Sequence, residues 1–150
     1  MASLDGCCRK GEKTNHRPGN HSGLWGPVVT EAMLASERLL EIEEKFEAMV
    51  ERIVPVELDE ETLRLILYLK DGTNLRVAEQ WRGKVLKRYS YYWLNNVNEL
   101  KVGWDNAPHH TQMESFPHHK HVGQLKNLQP SRETDLEEVM EVIQTGIRTD

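Results

Sequence analysis

Apolar positions change their spacing twice along the chain, and each change predicts a different element. Over residues 30–53, Leu39, Ile42, Phe46, Met49 and Ile53 recur at three- and four-residue steps, which predicts an amphipathic helix with one apolar stripe. Glu41 and Lys45 form a favourable i,i+4 pair on its other face, and Pro55 is expected to end it. From residue 62 the period drops to two. Leu63, Leu65, Leu67 and Leu69 alternate with Arg64, Ile66, Tyr68 and Lys70, and Leu75, Val77, Glu79 and Trp81 share one face of a second strand. A three-residue loop, Lys70-Asp71-Gly72, pairs Leu67 with Leu75 and Leu65 with Val77, with Gly72 left-handed. Arg82-Gly83 marks a second hairpin, residues 84–94 a third strand and residues 95–98 a turn. Leu100, Val102 and Trp104 alternate along a fourth strand. Residues 105–130 carry no regular period and read as a loop region. Thr134 and Glu137 form a capping box for a closing helix striped by Leu136, Val139, Met140, Ile143 and Ile147. The expected class is α+β: an antiparallel four- to five-stranded meander with an N-terminal and a C-terminal helix packed on one face.

Composition sharpens this picture at the ends. Residues 1–27 hold five of the ten glycines and no periodic apolar pattern, so they read as a disordered extension ahead of a single domain over 28–150. A natural start near Val28, Val29 or Met33 is the expectation. Cys7 and Cys8 are adjacent, which closes no useful disulfide loop and matches no zinc spacing. No apolar run reaches the length of a membrane span, and no apolar segment near the N-terminus resembles a secretory signal. A cytoplasmic protein with no membrane partner is expected.

Charge is uneven. The whole chain carries a formal −5, but residues 61–127 are net +4 between segments of −7 and −4. A uniformly basic nucleic-acid binder is excluded, whereas one cationic sheet face that attracts an anion such as phosphate is not. Arg64, Arg76, Lys87 and Arg88 are the candidate phosphate contacts, and alternation allows only one of Lys87 and Arg88 to serve. Tyr89, Tyr91 and Trp93 share a face, which suits sheet packing more often than base stacking.

Five of the seven histidines fall within residues 109–121: His109, His110, His118, His119 and His121. Imidazoles can take and give protons near neutral pH, and metal-free cleavage of RNA needs a base, an acid and a cation. His118-His119-Lys120-His121 supplies those groups in four residues. In an extended stretch His119 and His121 share one face and His118 and Lys120 the other, so His109 or His110 would have to complete the set. Asp105 could orient an imidazole. The competing reading is a metal site built on His119 and His121 with His109 or His110 and Asp105.

Trp104-Asp105-Asn106-Ala107-Pro108-His109-His110 and Phe116-Pro117-His118-His119-Lys120-His121-Val122, preceded by Tyr89-Ser90-Tyr91-Tyr92-Trp93, resemble blocks of the TumE-type toxin family of prokaryotic toxin–antitoxin modules. The resemblance spans roughly residues 34–147. It implies a small cytoplasmic α+β toxin encoded beside a cognate antitoxin and acting on RNA. The expected activity is a metal-independent ribonuclease without a cofactor. His119, His121, Lys120, His118, His110 and His109 are its catalytic candidates, and Asp105, Arg88, Arg76, Arg64, Trp104 and Tyr91 its binding candidates. The alternatives are a metal-dependent hydrolase or nucleotidyl-transfer protein, with His109, His119 and His121 as ligands, and a non-enzymatic interaction module. A homodimer stays open.

Overall fold

The computed structural model describes residues 35–148, the side chains of 147 and 148 excepted. The expected extension over 1–27 and the start of the first predicted helix lie outside the described residues. The order is α1 (Ala35–Lys45), β1 (Val50–Leu58), β2 (Thr62–Leu69), β3 (Asn74–Arg82), β4 (Val85–Leu94), β5 (Leu100–Asp105), β6 (His119–Val122), β7 (Leu128–Pro130) and α2 (Leu136–Arg148). All seven strands form one antiparallel sheet in chain order.

Seven strands replace the four to five expected, for two reasons. The helical stripe ends early: α1 stops at Lys45, and Val50–Leu58 runs as β1, with Ile53 opposite Leu67. Pro55 sits inside this strand, opposite Leu65. An edge strand tolerates a residue that cannot donate a ladder bond, and the register shifts on either side of Pro55 bend that edge. The aperiodic stretch 105–130 also contains β6 and β7, which are too short for a periodicity to show.

The first hairpin follows the register expected of a three-residue loop. Leu67 pairs with Leu75 and Leu65 with Val77, and Gly72 has φ +88°. Asp71 Oδ1 accepts from Thr73 N and Oγ1 and stiffens the turn. The closing helix is capped one residue later than expected. Asp135 Oδ1 accepts from Glu138 N at 2.9 Å, the N-cap to N3 bond, while Glu138 Oε2 accepts from Thr134 N at 2.7 Å.

Alternation makes one sheet face apolar. Leu63, Leu65, Leu67, Leu69, Leu75, Val77, Tyr91 and Trp93 are buried in a single hydrophobic cluster with Ile42 of α1, Phe46 just after it, and Leu136, Val139, Met140 and Ile143 of α2. Each fully buried aliphatic side chain contributes about 1.5–3 kcal/mol relative to exposure. Within this face sits a charged network. Buried Arg38 donates from Nε to Glu79 Oε2 (2.9 Å) and from Nη1 to Glu137 Oε1 (2.7 Å) and Glu41 Oε2 (2.9 Å). Tyr91 Oη and Trp81 Nε1 donate to the two oxygens of Glu79. Burial opposes the charge on Arg38, but the bonds to Glu79 and Glu137 outweigh it and hold the guanidinium well above its ordinary pKa.

Candidate active site

The opposite face is built by register. Arg64, Ala78, Ser90, Asp105 and His119 lie in one cross-strand row, and Ile66, Arg76, Tyr92, Gly103 and His121 in the next. Paired residues point to the same side. His119 and His121, two apart on β6, therefore flank Asp105 on β5. A groove of about 630 Å³ opens over this face, lined among others by Glu57, Arg64, Arg88, Tyr92, Asp105, His109, His110, His119 and His121.

The geometry at its floor is tight. His119 Nε2 lies 2.8 Å from Asp105 Oδ1, and His121 Nε2 lies 3.2 Å from Asp105 Oδ2. The other nitrogens are also engaged. His119 Nδ1 is 3.1 Å from the carbonyl oxygen of Pro117, and His121 Nδ1 is 2.6 Å from that of Leu125. Asp105 is oriented by Ala107 N, donating to Oδ1 at 3.0 Å, and by Tyr92 Oη, donating to Oδ2 at 3.3 Å. Burial and the neighbouring Asp105 push the Tyr92 hydroxyl up to about 12, so it stays a neutral donor. Tyr92 reaches this position because β5 carries no side chain beneath it. A Cβ on Gly103 would sit 2.5 Å from the Tyr92 ring.

His110 and His109 are exposed at the groove's rim on the loop after β5. The His110 ring stands edge-on to His119 at 5.0 Å between centroids. Among the described residues no hydrogen bond ties the His110 ring. Asn106 anchors the start of this loop. Its Oδ1 accepts from Tyr89 N and its Nδ2 donates to the Lys87 carbonyl, which continues the ladder where β5 ends.

The remaining candidates are separated from the groove. Lys120 projects from the other side of β6, with Nζ 3.8 Å from Glu133. His118 stacks on Tyr89, whose hydroxyl is 2.8 Å from His118 Nδ1, and burial lowers its pKa. Tyr91 and Trp104 are 0% and 1% exposed in the core, beyond the reach of a bound molecule. Arg76 lies on the groove's face, but its Nε donates to Asn74 Oδ1 and it does not line the groove. Arg64 and Arg88 do line it, and among the described residues neither side chain has a polar partner.

Sequence reasoning missed Tyr92, Gly103 and the two backbone carbonyls. A glycine inside an alternating strand was a usable signal for close approach of a neighbouring side chain. The carbonyls belong to a loop path that no side-chain pattern encodes.

A family model described as Toxin TumE matches residues 33–149. The chain belongs to the TumE toxin family. Membership points to the toxin of a toxin–antitoxin module and implies an antitoxin partner. No curated protein and no solved structure matches the chain significantly. Among the described residues, no helix of this family member is long and apolar enough to cross a membrane.

Proposed function

We propose that this toxin acts in the cytoplasm by cleaving RNA in the groove above Asp105. The observation that carries the reading is convergence: His119, His121 and Asp105 meet at the floor of a groove with His110 at its rim and Arg64 and Arg88 along it. The two guanidiniums suit successive phosphates of a strand, and the imidazoles stand where a scissile phosphodiester would rest.

Cleavage within RNA transfers the 2′-hydroxyl proton to a base as the 2′-oxygen attacks phosphorus, and returns a proton to the departing 5′-oxygen. A proton carrier needs a nitrogen free to exchange. Both nitrogens of His119 and of His121 are engaged, so the metal-free scheme with these two rings as acid and base is not carried into this proposal. The exposed His110 ring takes the 2′-hydroxyl proton and hands it to the departing 5′-oxygen. Arg64 and Arg88 hold the phosphates, and His119, His121 and Asp105 form the fixed polar floor beneath the scissile group.

The test is induction of the full chain in a host lacking the antitoxin, followed by cleavage of a purified RNA pool. Growth arrest and cut RNA are expected for the native chain, with both lost in His119→Ala and His110→Ala and kept in His118→Ala. Intact RNA after incubation with purified, folded protein that still arrests growth would overturn the ribonuclease reading.

A further inference from the structure

The geometry points to a divalent metal centre of the zinc class at Asp105, His119 and His121. It deepens the proposed RNA-cleaving reading of the same groove, but the binding itself does not depend on that reading.

The first ground is hydrogen-bond accounting. Each of the two rings faces an oxygen acceptor at both nitrogens: a carboxylate oxygen of Asp105 at Nε2, and a backbone carbonyl at Nδ1. A carbonyl can only accept, so each Nδ1 donates to it, and the two Nε2 atoms and the Asp105 carboxylate are left facing one another as the donor set that a single metal ion would satisfy. Nδ1–H donates to the Pro117 and Leu125 carbonyls, and the two Nε2 lone pairs and Asp105 turn toward one point. A backbone carbonyl fixing the far nitrogen of a ligating imidazole is the ordinary outer support of a metal site.

The second ground is distance. One ligand atom from each of the three residues lies within 4.8 Å of the others. Zinc-class ions bind imidazole nitrogen and carboxylate oxygen at about 2.0–2.2 Å, which in a tetrahedral site sets neighbouring ligand atoms about 3.3–3.6 Å apart. The nitrogen–oxygen separations of 2.8 and 3.2 Å lie just below that range, and seating an ion requires side-chain rotation that brings all three ligand atoms, now within 4.8 Å of one another, to that spacing.

The third ground is support and access. Asp105 is held by Ala107 N and Tyr92 Oη, and the three residues are mostly buried while facing the groove. Two imidazoles and one carboxylate favour a zinc-class transition ion over magnesium or calcium, which prefer all-oxygen sites. Three protein ligands leave a position open toward the groove for water or a phosphate oxygen, the arrangement of a catalytic rather than a structural site. There the ion would polarise a phosphoryl oxygen between Arg64 and Arg88.

The experiment uses the full chain, stripped with chelator and titrated with Zn²⁺ by calorimetry and with Co²⁺ by visible absorption. One saturable ion per chain that is weakened at least ~10–100-fold in His119→Ala, His121→Ala and Asp105→Asn is expected, with a Co²⁺ spectrum lost in the same variants and binding kept in His118→Ala. Circular dichroism identifies any variant that fails to fold. Tyr92→Phe, which keeps the ring and removes only the hydroxyl, supplies a conservative second readout with weaker binding and an unchanged fold. Absence of saturable binding to the native chain, or undiminished binding in the folded His119→Ala and His121→Ala variants, would overturn the site. Ion binding without RNA cleavage supports the centre and removes the ribonuclease reading. Cleavage by a chain that binds no ion does the reverse.

Discussion

The two faces of the sheet each bury charge, and they do so in opposite ways. On the apolar face, Arg38 meets Glu79, Glu137 and Glu41, and Tyr91 and Trp81 fill the remaining acceptor positions of Glu79. Every strong group there ends on a partner of the opposite kind. On the groove face, two imidazoles converge on one carboxylate beside open space, with two guanidiniums nearby that have no polar partner among the described residues. A closed network has nothing left to offer a ligand. An unbalanced one, held in place by Tyr92, Ala107 and two backbone carbonyls, keeps its capacity directed outward. The difference separates a structural charge cluster from a functional one more sharply than burial does, since Glu79 and His119 are 2% and 3% exposed.

The largest separation between the faces is expected from removing one member of each. His119→Ala should reduce RNA cleavage at least ~10–100-fold, while its denaturant midpoint stays close to native. Glu79→Ala should do the opposite. It removes the buried partner of Arg38 and leaves only Glu137 and Glu41 on one side of the guanidinium, a loss of up to about 3–5 kcal/mol by urea unfolding, and the molecules that remain folded should cleave at the native rate. If Glu79→Ala abolished cleavage by folded protein, the contrast between the faces would fail.

A smaller effect is expected where the groove's support is built into the backbone. Gly103→Ala forces the Tyr92 ring to move, because the new Cβ would lie 2.5 Å from it. Overpacking of this kind costs about 1–3 kcal/mol, and the displaced hydroxyl should loosen Asp105. Cleavage that stays native in Gly103→Ala would show that Tyr92 does not position the carboxylate.

Weaker still should be the loss of one guanidinium. Arg64→Ala and Arg88→Ala should each reduce RNA affinity several-fold and lower the slope of log affinity against log salt by about one. Arg76→Ala, outside the groove, should change neither.

The smallest expected effect is on pH dependence. Burial raises the Glu137 carboxyl, but Arg38 outweighs it, and the net pKa lies below the ordinary carboxylate value. A folded pKa below the unfolded one means that this contribution is fully present above the ordinary carboxylate range. It is lost as pH falls through the depressed value. Glu137→Gln should therefore flatten the acid limb of stability against pH, and an unchanged limb would place the acid sensitivity elsewhere.

Much of this architecture was legible as periodicity. The alternation in residues 62–81 carried both strands, the loop length and the register, because one buried face makes a one-residue slip prohibitive. The closing helix was equally legible from its stripe, although its cap fell on Asp135 rather than Thr134. Alternation also placed His119 and His121 on one face and Lys120 on the other. The helix boundary failed because Met49 and Ile53 satisfy a helical stripe and a half-buried strand alike. Only pairing of Ile53 with Leu67 selects the strand.

By itself the sequence determined the core face, the first hairpin's register and the family, since each is written in local spacing or in contiguous blocks of residues. Tertiary structure alone decided the site. Asp105 and His119 are fourteen positions apart, and what makes them neighbours is the pairing of β5 with β6, two strands whose hydrogen bonds leave no mark on composition. The engagement of Nδ1 on both rings depends on carbonyls of Pro117 and Leu125. Every residue has a carbonyl, so its direction is set by the path of the folded chain and by nothing in the side-chain code.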